Sequence, residues 1–152
     1  MKKELKRILF CTDFSPNADY AFGYAIDAVL KRPDCKLYLL HVIPETDSQF
    51  WKTYIYEVED VDNKAKHDID MRIKEAYTDK LPEGVEMEIA IRVGRDYQEI
   101  LDYVEQMEID LIVLGRQGHS SLQDALFGSV SEKIVRKATC AVMVIPHSEE
   151  EG

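Results

Sequence analysis

The chain has 152 residues, of which 45% are apolar and 32% charged, a composition typical of one globular domain. Nineteen Lys and Arg against 29 Asp and Glu give a net charge of −10, which argues against binding to nucleic acid or to anionic membranes. No apolar run approaches the roughly 20 residues that span a bilayer, and the charged N-terminus lacks a signal-peptide core. We expect a cytoplasmic protein with one domain at 1–147 and an acidic tail at 148–152.

Five short apolar runs predict the β-strands of the domain. Four read as nearly continuous Val, Ile and Leu, as in parallel strands that are covered on both faces. The third alternates, with Met87, Ile89, Ile91 and Val93 on one side, which predicts an edge strand with one face partly in water. In chain order the runs are RILFCTDF, KLYLLHVI, EMEIAIRV, DLIVLG and AVMVI.

Helical periodicity fills the intervals between these runs. After the first run, Ser15 is a predicted cap and Pro16 suits the first helical position. A longer helix is predicted after the second run, and Asp96 with Glu99 resembles a capping box before the fourth. Strand and helix alternate throughout, so the sequence predicts an α/β fold with a doubly wound, five-stranded parallel sheet and helices on both faces.

The three cysteines are an odd number without the spacing of metal ligands. Cys11 and Cys140 lie in apolar surroundings, where a free cysteine behaves as a small buried hydrophobe. A structural role is therefore favoured over redox or metal chemistry.

Three glycines lie within the stretch DLIVLGRQGHSSLQDALFGSVSEKIV. Gly115 and Gly118 follow the fourth strand at its carboxyl end, the edge at which open α/β sheets bind ligands. Gly128 precedes the sequence Ser-Val-Ser-Glu, a predicted capping box with Ser129 as the cap. The first turn of the helix that follows offers N–H groups and a positive dipole end, which suit phosphate.

This spacing alone leaves two interpretations open. Glycine pairs often follow strands, and a capping box begins many helices that bind nothing. The sequence contains no Gly-Lys-Ser/Thr of a P-loop, and a dinucleotide fingerprint would follow the first strand instead. Either a phosphate cradle or ordinary chain punctuation fits the pattern.

The sequence as a whole resembles the universal stress protein family. GRQGHSSLQDALFGS has the family's nucleotide-binding signature of Gly, two residues, Gly, nine residues, Gly, then Ser or Thr. The resemblance extends over nearly the whole chain through TDFS, LLHVIP, DLIVLG and SVSEKIVRKATCAVMVI. One departure is Ala141, where the family often has proline after the cysteine. It bears on the edge of the last strand.

The resemblance implies the strand order 3-2-1-4-5 and ATP as the ligand. It leaves open whether Mg²⁺ or Mn²⁺ binds together with ATP. Asp13 would meet the adenine or ribose end, although it could instead serve only the turn into the first helix. Arg116 and His119 would touch phosphate or be solvated. The predicted nucleotide-binding set is Thr12, Asp13, Val42, Gly115, Arg116, Gly118, His119, Gly128, Ser129, Val130 and Ser131.

Three functional hypotheses follow from the residues and the resemblance. The first is an ATP-binding stress-response protein that acts as a nucleotide-dependent switch for an unknown protein partner. The second is a slow ATPase or an autophosphorylating protein, with Ser120, Ser121, Ser129 or Ser131 as the acceptor; no catalytic residue is assigned. The third is a structural dimer that binds no nucleotide. A homodimer through the last strand, Cys140 to Ile145, is compatible with all three.

Overall fold

A computed structural model describes residues 4–44, 59–116 and 129–146, with side chains from residue 66 onward in the second range. The described elements alternate between strand and helix, as predicted. They are β1 (Arg7–Thr12), α1 (Pro16–Leu30), β2 (Lys36–Pro44), α2 (Glu59–Ala76), a 3₁₀ turn (Thr78–Lys80), β3 (Met87–Gly94), α3 (Asp96–Gln106), β4 (Leu111–Gly115), α4 (Ser129–Lys137) and β5 (Ala141–Ile145). No helix in these ranges is both long and apolar enough to cross a membrane.

The strands form one parallel sheet in the order β3-β2-β1-β4-β5. In the centre of the sheet, Phe10 of β1 pairs with Leu39 of β2 on one side and with Val113 of β4 on the other. The predicted fold class and strand order are confirmed. The chain reverses its direction of travel across the sheet between β1 and β4, and a crevice at such a switch point is where sheets of this kind bind ligands.

Two apolar cores lie on the two faces of the sheet because side chains alternate along each strand. Ile8 and Phe10 of β1 pack with α1 and with Ile73 of α2. Leu9 and Cys11 face the other way and pack with α3 and with Ile134 of α4. The four buried apolar positions of β1 thus hold both helical layers against one strand, as its continuous apolar run predicts.

Helix α1 begins as the sequence predicts. The Ser15 hydroxyl accepts a hydrogen bond from the Ala18 N–H at 3.2 Å, and Pro16 occupies the first helical position. Ala21 and Ala25 are fully buried within the predicted apolar stripe. Small residues at these positions allow the helix to lie close to the sheet.

One local prediction is wrong. Asp96 is not the cap of α3 but its first residue: Glu99 N–H bonds to the Arg95 carbonyl at 2.9 Å, which moves the start back to Arg95. β3 is an edge strand as expected, but its apolar face is only partly covered. Met87 and Ile91 pack against the core, whereas Ile89 and Val93 stay 42% and 47% exposed.

Candidate functional site

A cavity of about 750 Å³ lies at the carboxyl ends of the central strands. It is bordered by the ends of β1, β2 and β4, by the starts of α3 and α4, and by one side of α2. A larger depression of about 1000 Å³ lies at the opposite end of the strands, near Leu5, Val104 and Thr139. The first cavity is the better candidate because it alone of these two lies at the switch point and beside a helix N-terminus.

The Asp13 turn connects β1 to α1 at the mouth of the cavity. The carboxylate of Asp13 accepts a hydrogen bond from the Ser15 N–H at 2.9 Å, and the side chain is exposed. The predicted role in the turn is therefore observed, and a ligand contact by Asp13 remains a prediction. Phe14, between them, has a positive φ of 63°.

Thr12 also lines the cavity, but its hydroxyl belongs to a buried chain of hydrogen bonds. The hydroxyl accepts from the Phe14 N–H at 2.9 Å and lies within hydrogen-bond distance of the Tyr77 hydroxyl. Tyr77 in turn donates to the Asp19 carboxylate at 2.7 Å. This arrangement makes Thr12 the donor to Tyr77. Its side chain fixes the Asp13 turn from behind.

Val42 and His41 line the cavity from the end of β2. The side chain of Val42 is half-buried and offers an apolar contact. His41 Nδ1 lies 2.9 Å from the Thr12 carbonyl, which only accepts, so Nδ1 carries the proton and donates. Burial lowers the pKa of His41, and the Thr12 carbonyl and Asp13 only partly offset that effect. His41 is therefore a hydrogen-bonded histidine that is neutral at neutral pH.

Gly115 ends β4 where α1 approaches most closely. A Cβ at this position would lie 2.9 Å from the main-chain oxygen of Asn17. The next residue, Arg116, bonds through its N–H to the Ile145 carbonyl at 2.7 Å. Its side chain is not among those that line the cavity. A phosphate contact by Arg116 remains a prediction.

The first turn of α4 borders the cavity on the side opposite Asp13. Ser129 and Val130 line it, and Ser129 is exposed. Ser129 is already the first helical residue, so it lies one position inside the predicted cap. The Ser131 hydroxyl points away from solvent, since it is buried and donates to the carbonyls of Gly115 and Arg116. Gly118, Ser120, Ser121, His119 and Gly128 lie outside the described residues.

Two charged side chains of α2 reach the cavity, and sequence analysis missed both. Arg72 and Asp68, one turn apart, line its outer side. Arg72 places its guanidinium 4.3 Å from the centroid of the Phe14 ring. No local pattern could have marked these residues, because α2 carries charges all along its exposed side and the contact depends on tertiary structure.

The charges around the cavity bear on metal binding. Among the described residues, no group of three or more His, Cys, Asp or Glu side chains is arranged to hold a metal ion. Asp13 and Asp96 are separate carboxylates of the lining. Mg²⁺ commonly uses one or two carboxylates together with the phosphates of a nucleotide, and a metal ion at this cavity remains a prediction.

The fold is that of a doubly wound α/β protein with a cavity at the switch point. The model of the universal stress protein family matches residues 4–146. The chain therefore belongs to the universal stress protein family.

Relatives of known structure agree with this assignment. Universal stress protein MJ0577 of Methanocaldococcus jannaschii is 28% identical over 155 residues, which cover 92% of this chain and 94% of the relative. Its solved structure superposes with a TM-score of 0.74 over 95% of this chain and 97% of that one. Universal stress protein UspA from Lactobacillus plantarum is 28% identical, with a TM-score of 0.73 over 95% and 99% of the two chains.

A more distant structure shares the fold. It is a universal stress protein family protein from Arabidopsis thaliana, solved with AMP bound. It is 23% identical and has a TM-score of 0.58, over 96% of this chain and 94% of that one.

Proposed function

We propose that this protein binds ATP in the crevice and acts as a nucleotide-dependent regulatory switch in a stress response. The observation that carries the proposal is the convergence of Asp13, Val42, Gly115 and the first turn of α4 on one cavity of about 750 Å³. Its size lies within the range of small-molecule sites, roughly 300–1,000 Å³. These residues lie in or directly after three different strands and in a helix, and Gly115 and Ser129 belong to the family signature.

The charges favour one orientation of the nucleotide. Asp13 repels phosphate but accepts hydrogen bonds from ribose hydroxyls, which places the nucleoside at the β1 and β2 side. Val42 offers the base an apolar contact there. The phosphates lie at the first turn of α4, where the N–H groups of Ser129 and Val130 and the positive end of the helix dipole stabilise negative charge.

The choice of an adenine nucleotide rests on the family signature. The AMP-bound Arabidopsis relative indicates that this fold can hold a nucleotide. At 23% identity, that likeness extends to the fold and no further. The described lining of the cavity contains no feature that selects adenine over another base, so titrations with nucleotides of different bases would measure the selectivity.

A switch fits the described site better than an efficient enzyme. Phosphoryl transfer requires strong cationic stabilisation and a positioned nucleophile. Among the described lining residues, Arg72 is the sole Lys or Arg, and it lies on the nucleoside side. Slow hydrolysis or autophosphorylation is a second candidate, favoured by one observation: Ser129 is exposed at the phosphate side. Of the described serines there, it is preferred as acceptor over Ser131, which is buried.

The surface that the nucleotide would regulate includes the edge of the sheet. Among the described strands, β5 lies at the edge of the sheet and pairs with β4 alone, and Met143 is 37% exposed on it. An exposed apolar edge strand favours pairing with another strand. We propose a homodimer through Cys140 to Ile145, with a further protein partner that responds to the loaded state.

Calorimetric titration with ATP tests the proposal. Asp13→Asn keeps the shape of the side chain and the turn but removes the charge; a hydrogen bond to a charged group contributes roughly 1.5–3 kcal/mol, so we expect about 10-fold weaker binding or more. The matched control is Asp34→Asn, which removes the same charge at a turn between α1 and β2, remote from the lining. Equal affinities in both variants, or a native chain that ignores ATP, would contradict the proposal.

A further inference from the structure

The Asp13 turn depends on an unfavourable backbone conformation next to the site. Phe14 has φ of 63°, a region that residues with a Cβ seldom adopt. Such conformations persist where surrounding contacts hold them, and they concentrate at functional sites. What holds Phe14 therefore also fixes the direction of the Asp13 carboxylate, one residue earlier.

Three side chains surround the Phe14 ring. The imidazole of His41 lies 4.6 Å away between centroids, and the ring of Tyr77 lies 6.2 Å away and nearly parallel, at 21°. The guanidinium carbon of Arg72 is 4.3 Å from the ring centroid. Tyr77 belongs to the buried hydrogen-bond chain beneath the turn and His41 bonds to the Thr12 carbonyl, whereas Arg72 comes from an exposed position on α2.

Arg72 lies over Phe14 although another partner is near in sequence. Asp68 precedes it by four residues on α2, a spacing and order that favour a helical ion pair. No ion pair of Arg72 occurs among the described residues, and its guanidinium lies on the aromatic face instead. Both side chains line the cavity. The contact thus joins α2 directly to the turn that carries Asp13.

We propose that Arg72 is a positioning residue for the nucleotide site. Its cation–π contact stabilises Phe14 in the left-handed conformation, and this conformation keeps the Asp13 carboxylate aimed at the nucleoside. The inference rests on the proposed function and names α2 as the element through which the site is tuned. Movement of α2 would release Phe14 and weaken binding without any change in the residues that touch the ligand.

A different role would be direct contact between Arg72 and the phosphates. The two roles predict different dependence on ligand charge. A positioning residue acts at the nucleoside end, so its loss weakens the binding of adenosine, AMP and ATP by the same factor. Loss of a direct ionic contact would instead weaken the binding of ATP most and the binding of adenosine least, because the Coulomb attraction grows with the phosphate charge.

The test is a double-mutant cycle on binding, measured with adenosine, AMP and ATP. Arg72→Met keeps the length of the side chain without the charge, and Phe14→Leu keeps apolar bulk without the aromatic face. An exposed cation–π pair supports roughly a two- to five-fold change in affinity. We expect Arg72→Met to lose that factor for all three ligands. In the Phe14→Leu background, the same substitution should have no further effect.

Controls separate positioning from charge and from folding. Lys66→Met removes one positive charge from an exposed position on the same helix and should leave all three affinities unchanged. Phe14→Tyr keeps the aromatic face and should retain the dependence on Arg72, which keeps the test valid if Phe14→Leu fails to fold. Arg72→Lys should restore part of the lost affinity. Unfolding curves of each variant show that the fold is intact.

The inference, but not the proposed function, would be overturned if Arg72→Met bound like the native chain, or if its loss of affinity grew from adenosine to ATP. An Arg72 effect that persists in full with Phe14→Leu would also overturn it. A native chain that binds none of the three ligands would instead overturn the proposed function, and the positioning role with it.

Discussion

Ser131 donates its hydroxyl to the main-chain carbonyl of Gly115, 3.1 Å away, and so ties the first turn of α4 to the end of β4. The same hydroxyl reaches the Arg116 carbonyl. The side chain is only 1% exposed. Ser131 therefore holds the proposed phosphate side of the crevice in place, and its hydroxyl is taken up by these two carbonyls.

Replacing Ser131 by alanine should lower the free energy of unfolding by about 1–3 kcal/mol, because buried carbonyls lose their donor. Chemical denaturation measures this change. The matched variant is Ser129→Ala, which removes an exposed hydroxyl two residues earlier; its stability should change by no more than about 0.5 kcal/mol. Equal losses in the two variants would show that the Ser131 bonds do not brace the helix.

His41 should make stability sensitive to mild acid. Burial lowers the pKa of His41 below its usual 6.5, so the unfolded chain takes up a proton before the folded one does. The contribution of His41 to the free energy of unfolding is fully present above pH 6.5. It falls by up to about 1.4 kcal/mol per pH unit as the pH drops from 6.5 through the pKa of His41 in the folded state.

The measurement is the difference in unfolding free energy between the native chain and His41→Gln, from pH 8 down to the acid limit of folding. Glutamine can still donate to the Thr12 carbonyl but does not titrate. We expect the native chain to lose more stability below pH 6.5. His67→Gln, at an exposed position on α2, serves as control. Parallel curves for native and His41→Gln would contradict the assignment.

Two glycines should respond in opposite directions to alanine. A methyl group at Gly115 would meet the Asn17 carbonyl at 2.9 Å, and because that atom is backbone, α1 must shift. We expect Gly115→Ala to be destabilising and to weaken ATP binding, as seen by thermal unfolding and calorimetry. At Gly23, inside α1, a Cβ would meet nothing within 4 Å, so Gly23→Ala should stabilise the fold by about 0.5–1 kcal/mol. A stable Gly115→Ala variant would refute the close approach.

The proposed dimer edge can be tested without disturbing the core. Val142 and Val144 pack partly against the α3 and α4 core, so lysine there would also affect folding. Met143 faces the other way and is exposed. In sedimentation, Met143→Lys should shift a native dimer toward monomer, since lysine on an edge opposes strand pairing. Ile89→Lys on the β3 edge is the control. A Met143→Lys protein that stays dimeric would place the interface elsewhere.

Much of the architecture follows from local patterns. Continuous apolar runs such as Ile8 to Cys11 indicate strands covered on both faces, and Ser15 with Pro16 marks the start of α1. The strand order came from the family resemblance, because periodicity does not reveal which strands are neighbours. The start of α3 lies one residue before the predicted cap Asp96, because main-chain hydrogen bonds determine the cap and the side-chain pattern only indicates it.

The site was predictable only where residues follow strands. Asp13 and Gly115 lie at strand ends, and the topology brings both to the same edge of the sheet. Arg72 was missed because it reaches the crevice from the side of a helix, and its contact with Phe14 joins residues that are far apart in sequence. Ser131 belongs to the predicted nucleotide-binding set, yet its hydroxyl donates to the carbonyls of Gly115 and Arg116, a role that only the packed structure displays.

The most direct test of ATP binding in the crevice is to follow amide chemical shifts in ¹⁵N–¹H spectra during titration with ATP. Saturable shifts concentrated at Asp13, Val42, Gly115 and Val130, at the carboxyl ends of the strands, are predicted. Absent shifts, or shifts confined to the opposite edge around Leu5 and Thr139, would contradict the proposed site.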